Sequence, residues 1–397
     1  MIDALHGVRV LDLTRILAGP YGTLLLADLG AEVLKIERPG AGDDTRRTGP
    51  HFIGGESLYF LSVNRGKRSV ALDLQRPEGR AVLRDLAAGC DVVVENFRAG
   101  VAETLGCDAD TLRAVNPRLI VCGMTAVGRD GPDAREPAFD LTLQARGGVM
   151  SLTGHPGAEP ARCGVPIGDL AGGVFAALAV CAALHRRNTT GEGAFIDLAL
   201  LDCQVSLLSY FATNWLMAGA EGAPQGSGHA GAAPYQTFAA RDGHLAVAVF
   251  TDAFWAPFCA ALERPMWLGD KRFETNLARC AHRDALVPMV AEVIAGETRA
   301  RWMERFRAHG VPASPVQRVS EVCADPRVIA RGMIAETVHP TAGAVRSPSH
   351  PFRFAGVTDR PGAAAPALGA DTDDVLRAIA GYSEEHIAAL RSIGVIP

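Results

Sequence analysis

VRVLDLTRILAGPYGTLLLADLGAEVLKIE, residues 8–37, places a helical stretch between two runs of β-forming residues. The pattern predicts a strand over 8–13, a turn through 14–20, a helix from about 21 to 29 and a second strand over 32–37. Strand, crossover helix, strand is the unit of a parallel sheet covered by helices. The alternation continues downstream. Residues 69–74, 91–97 and 119–124 read as further strands, and 77–88 as a helix opened by proline in its first turn. Residues 174–184 form a helix apolar nearly all round and so expected to be buried; a strand at 194–198 and one helix over 202–217 follow.

The register then changes. Residues 219–233, GAEGAPQGSGHAGAA, have no periodicity and suit a linker or mobile loop. Beyond them 235–250 reads as a hairpin turning at Arg241-Asp242-Gly243, and helical segments run on to about 306. The expected organisation is α/β: a large Rossmann-like domain over 1–217 and 326–397, a linker over 218–234 and a small α+β domain over 235–325.

Composition narrows the function classes. The 397 residues carry 39 Lys plus Arg against 44 Asp plus Glu, a net charge of −5, which excludes a generic nucleic-acid binder. Hydrophobic residues at 48% and charged residues at 21% describe an ordinary globular chain. The longest apolar run, 170–184, stops at His185-Arg186-Arg187, short of the ~20 residues a membrane span needs. The N-terminus enters a strand at once, without a basic segment leading into an apolar one, so a cytoplasmic protein is expected, with no membrane partner. Nine cysteines without a C-x-x-C pair read as buried reduced thiols. The eleven histidines form no ligand spacing, so no metal is expected.

Most motifs fail on context. The G-x-G-x-x-G at 226–231 follows a Gly/Pro/Gln segment and precedes Pro234 and a strand, whereas a dinucleotide fingerprint needs a strand before it and a helix after. One stretch survives: GVPIGDLAGG, residues 164–173, immediately before the apolar helix. Asp169 there is either a helix N-cap or an exposed carboxylate nucleophile. On the second reading the helix dipole keeps it ionised, free backbone N–H groups beside it hold an oxyanion, and the flanking glycines let a bulky substrate approach.

Four separated runs together resemble one family: residues 8–46, NRGKRSVALDL at 64–74 with PEG at 77–79, DVVVENFRAG at 91–100, and GVPIGDLAGG. Their order and spacing are similar to those of the class III CoA-transferases, the superfamily of formyl-CoA transferase, carnitine CoA-transferase and α-methylacyl-CoA racemase. The resemblance implies a Rossmann-like large domain, a small domain and an interlocked homodimer. It implies CoA and acyl-CoA as substrates, small carboxylic acids as partners, and no permanently bound cofactor. It also implies that Asp169 attacks a donor thioester, giving a mixed anhydride and then an aspartyl-CoA thioester. The family's CoA contacts fall on Ala18, Arg38, Leu72, Gln75, Asn96 and Phe97.

Departures from the pattern refine the activity. The racemase branch has a histidine before an aspartate where this chain has Phe139-Asp140, and a phenyl ring cannot exchange a proton. The formyl-CoA branch has glutamine at Leu17 and a tetraglycine loop at 226–231, which disfavours formate and oxalate; several of its members carry basic residues at Gln75 and Thr104, so the phosphate contacts differ in detail. TRILAGP at 14–20 and the segment from His229 to Gln236 look most similar to the branch that moves CoA between succinyl-CoA and dicarboxylic acids such as glutarate or 3-hydroxymethylglutarate. Arg15, Leu17, Gly228 and His229 are the expected substrate residues, with Arg15 or His229 meeting the distal carboxylate. A racemase or epimerase and a CoA-binding paralogue without catalysis are the competing readings.

Overall fold

The structure, a computed structural model, describes residues 2–357 and 362–397. It divides into two compact units, one formed by Met1–Val149, Arg162–Ala220 and Ile329–Pro397, the other by Met150–Ala161 and Glu221–Val328. The cut differs from the expected one: residues 150–161 leave the large unit. They are tied into the second, where the Gly226 amide donates to the Gly154 carbonyl at 2.8 Å.

In the first unit the chain runs β1 (Arg9–Asp12), α1 (Ala18–Asp28), β2 (Glu32–Glu37), β3 (Lys67–Ala71), α2 (Pro77–Ala88), β4 (Val92–Glu95), β5 (Ile120–Thr125), α3 (Asp140–Arg146), α4 (Ile167–Thr190), β6 (Ala194–Ala199), α5 (Leu200–Leu208) and α6 (Tyr210–Ala218). The six strands are parallel throughout, in the order β3-β2-β1-β4-β5-β6. This is the doubly wound order, with a switch point between β1 and β4.

Helices cover both faces, so consecutive residues along a strand are buried on opposite sides of the sheet. Leu11, Leu34, Val93 and Val121 face a core completed by Leu83 and Leu86 of α2 and by the C-terminal segment, including Val375 and Leu390. Val10, Val33, Val92 and Ile120 face the other way, toward Leu25 of α1 and Val180 of α4.

Two helices depart from expectation. The segment 202–217 is not one helix, because Ser209 adopts φ +47° and separates α5 from α6. The apolar helix is longer than its sequence suggested, 24 residues, and is long and apolar enough to cross a membrane by length and composition alone. It is also only partly buried: Leu178 is 63% exposed and Val174 47%. Its inner face packs tightly on α1, where a Cβ on Gly173 would lie 2.6 Å from the Ala18 carbonyl oxygen and one on Gly22 would lie 2.9 Å from that of Gly173.

The second unit carries a three-stranded antiparallel sheet. Its strands β7 (Tyr235–Ala240), β8 (Gly243–Ala248) and β9 (Ala313–Pro315) lie in the order β9-β8-β7. The helices α7 (Trp255–Ala261), α8 (Arg283–Ala295) and α9 (Arg299–Ala308) pack against it around Phe258, Phe273, Trp302 and Phe306. The glycine-rich segment before β7 is anchored rather than loose. Arg283 donates to the carbonyls of His229 and Ala232, and Asn276 bonds Gly231 and Ala233.

Candidate active site

At the C-terminal end of β1 a buried ionic network supports the first turn. Asp12, fully buried, accepts from the Lys67 ammonium at 3.0 Å, the Thr23 hydroxyl at 2.7 Å and the Thr14 amide at 3.0 Å. Lys67 and Lys35 together hold its carboxyl well below the ordinary range against the desolvation of burial. Lys67, equally buried, is pulled down to about 8, because desolvation outweighs its carboxylate partner. Lys35 spans the turn, paired with Asp43 at 2.9 Å and donating to the Thr14 carbonyl at 2.9 Å.

Over this base the backbone is strained. Ile16, β-branched, takes φ +69°, and its amide points to Asp43 at 3.3 Å. The turn is tied across the switch point by Asn96: its side-chain oxygen accepts from the Arg15 amide at 2.9 Å and its nitrogen donates to the Arg15 carbonyl at 2.8 Å. Two of the expected residues, Arg15 and Asn96, are thereby brought into one structure.

Two clefts open here and share Arg15 and Phe97. The first, about 840 Å³ of empty space, is lined by Arg38, Leu72, Gln75 and Phe97 of the expected CoA set. The second, about 1160 Å³, is lined by Ala18 and Asn96 of that set, by Arg15 and Leu17, and by Phe139 and Asp169. Among the described residues, no histidine lines either cleft. Three guanidinium groups converge on Asp44 at the rim: Arg38 at 3.1 Å, Arg15 at 3.4 Å and Arg47 at 3.7 Å. These exposed pairs are weak and leave a net positive rim, which suits phosphate oxygens.

Asp169 lies in the first turn of α4 and is not the N-cap. That position belongs to Pro166, whose side chain caps nothing. The cap comes from 28 residues upstream: one Asp140 oxygen accepts from the Gly168 amide at 2.9 Å and the Asp169 amide at 3.3 Å. The other accepts from the Gln144 amide group at 2.6 Å. These two N–H groups are therefore not free to hold an oxyanion, contrary to the sequence reading.

The glycines are also used differently than expected. Gly168 packs against Gln204 and Asp140, and Gly172 and Gly173 pack against Leu200 and α1; only Gly164 is open. Nor does the helix dipole dominate at Asp169, whose carboxyl is raised to about 7 by burial first and by the like charge of Asp140 second. Tyr59 feels the same field. Its phenol is pushed up to about 12 by burial, then by the charges of Asp169, Asp43 and Asp140. Sequence reading named Asp140 only as the neighbour of Phe139 and passed over Tyr59; the available sign of a capping role for Asp140 was an acid at a helix start with Gln144 one turn later.

Gly228 and His229 lie in the second unit and line neither cleft. There the His229 ring packs against Tyr235 and Phe250, and its Nδ1 accepts from the Gly231 amide at 3.0 Å.

With this geometry in hand, residues 5–372 match the description of CoA-transferase family III. The chain belongs to that family. It is 38% identical over 395 residues to human succinyl-CoA:glutarate CoA-transferase, covering 100% of this chain and 90% of that one. It is 38% identical over 361 residues to the acetyl-CoA:oxalate CoA-transferase of Acetobacter aceti, covering 90% and 91%. Among solved structures, a CAIB/BAIF family protein from Brucella suis aligns with a TM-score of 0.86 at 37% identity over 94% of this chain and 99% of that one. Rv3272 from M. tuberculosis aligns with a TM-score of 0.83 at 29% identity, covering 94% and 98%. As a family III CoA-transferase, the chain moves CoA from an acyl-CoA to a carboxylate through an aspartyl intermediate, with CoA as substrate rather than resident cofactor.

Proposed function

We propose that the chain transfers CoA from succinyl-CoA to a second dicarboxylic acid, with Asp169 as the nucleophile. The observation that carries this reading is the pair of adjoining clefts, one with the arginine rim at Arg38 and one containing Asp169, sharing Arg15 and Phe97. A CoA ester lying along them has its phosphates by Arg38, its adenine against Leu72, Gln75 and Phe97, and its thioester near Ala18, Asn96 and Asp169. The name of the human relative supports the acids: succinyl-CoA with glutarate.

The Asp169 carboxylate adds to the thioester carbonyl, and the carbon–sulfur bond breaks to release CoA thiolate and leave a mixed anhydride. The thiolate then adds to the aspartyl carbonyl, and the donor acid leaves as its carboxylate. The acceptor carboxylate attacks the aspartyl-CoA thioester, and the two steps reverse. No net proton, metal or nucleotide is consumed.

Arg15 is the cation proposed for the acceptor's distal carboxylate, exchanging its exposed partner Asp44 for the substrate, with Leu17 shaping the pocket. Gly228 and His229 keep the same assignment. With Nδ1 already accepting a hydrogen bond, a neutral His229 ring offers Nε2–H as a donor. The working form is proposed to be a homodimer of interlocked chains, a second copy covering the apolar groove of Phe175, Leu178, Ala179 and Ile196. A cytoplasmic location accords with nine cysteines that form no disulfide.

The test is an incubation in D₂O with succinyl-CoA and a pool of glutarate, itaconate, malate, mesaconate and oxalate, followed by mass spectrometry of the CoA esters. A new acyl-CoA without α-deuterium is expected. Deuterium uptake into a branched acyl-CoA with no new ester would replace transfer by racemisation.

A further inference from the structure

Gln204, on α5, is fully buried, and neither its side-chain oxygen nor its nitrogen has a hydrogen-bond partner. Burying an unpaired amide costs about 1–3 kcal/mol, a cost a leucine of similar volume would avoid. The surroundings are shaped to admit it. A Cβ on Gly168 would lie 2.4 Å from the Gln204 nitrogen, and one on Gly147 would lie 2.9 Å from Gln204 Cβ. The same Gly168 point is 3.0 Å from the Asp140 oxygen that caps α4. The Gln204 donor and the capping carboxylate thus flank one glycine, directly beneath the turn that carries Asp169. Of the roughly four lone-pair sites of a carboxylate, Asp140 has three filled, by the Gly168 and Asp169 amides and by Gln144.

We propose that Gln204 is a positioning residue of the transfer reaction that acts through Asp140: a side-chain rotation puts its Nε2–H onto the Asp140 oxygen that otherwise accepts from Gln144 alone. The inference rests on Asp169 being the nucleophile. Asp169 loses its charge when the first anhydride forms and regains it only when the new acyl-CoA is released, so the electrostatic balance at the cap swings once in every turnover. A further donor on Asp140 keeps the cap seated on Gly168 and Asp169 throughout. Gln204 touches no substrate, so its effect falls on turnover rather than binding.

The experiment is a double-mutant cycle on the full chain, read as exchange of ¹³C-succinate into succinyl-CoA, or of ¹³C-acetate into acetyl-CoA should succinyl-CoA prove inert. Gln204→Leu is expected to lower kcat about tenfold and leave the KM of the CoA ester within about twofold, the size of one lost hydrogen bond to a charged group. In an Asp140→Asn background, where the acceptor charge is gone, adding Gln204→Leu should change kcat by less than about twofold. A full tenfold loss in that background, or a loss confined to KM, would overturn the proposal. Gln204→Met fills the same space and replaces the leucine variant if that one fails to fold. Asp169→Ala, run alongside, separates the two levels: exchange surviving there sinks the nucleophile, whereas additivity with a dead Asp169→Ala sinks the role of Gln204 alone.

Discussion

Two aspartates near the C-terminal ends of the strands of one sheet have opposite electrostatic fates. Asp12, at the end of β1, is sealed between two lysines and held ionised, whereas Asp169, in the first turn of α4, is partly buried beside a second carboxylate and raised to about 7. Depth does not decide the difference, since Asp12 is the more deeply buried. Neighbours do: cations around Asp12 overcome desolvation, while at Asp169 desolvation and Asp140 act in the same direction. The first arrangement builds a support, and the second leaves a carboxylate whose charge is held at a cost, which accords with the nucleophilic role proposed for it.

The comparison breaks most visibly if Asp169 is dispensable. Asp169→Ala should lower transfer by on the order of a thousandfold or more while CoA esters still bind, as calorimetry can show. At Asp12 the loss should be in the fold itself. Asp12→Asn leaves buried Lys67 and Lys35 short of a counter-charge and is expected to cost about 3–5 kcal/mol in denaturant unfolding.

The pH dependences should run in opposite directions. Asp12, depressed in the folded state, contributes stability that is complete above about pH 4 and lost as pH falls toward its lowered value. Asp169, raised in the folded state, does the reverse: the chain loses stability as pH rises from about 4 through about 7. Asp169→Asn should therefore melt higher than the native chain at pH 8, by about 1–2 kcal/mol, with the gain gone near pH 4. The same ionisation gives the rate an acid limb near 7, and Asp140→Asn should move that limb to lower pH. The smallest effect is expected at the exposed rim, where Arg38→Ala should raise the KM for the CoA ester about fivefold and leave kcat nearly unchanged.

What the sequence disclosed follows from the range of the forces involved. Strands such as 32–37 and 92–95 were readable because burial on both faces places apolar and β-branched residues side by side, as in Val92-Val93-Val94, and α2 because proline opens it. Asp169 stood out through its flanking glycines, although those glycines turn out to serve helix packing. The capping role of Asp140 was hidden because the amides it caps lie 28 and 29 residues away, and its local sign, Gln144 one turn later, does not point to them. The break at Ser209 depends on a left-handed backbone angle at an ordinary residue, and the anchoring of residues 229–233 depends on Arg283, more than fifty positions downstream.

The close approach of α1 and α4 at Gly22 and Gly173 bears on how such an enzyme can diversify. With backbone against backbone, neither helix can slide or thicken without moving the other, and with it both the turn at 14–20 and Asp169. New acid preferences are then most accessible through the segments that line the Asp169 cleft without joining that contact, Ala134 to Phe139 foremost. A library confined to those positions should change which acid is accepted while the transfer chemistry persists, and one that enlarges Gly173 should extinguish every activity together.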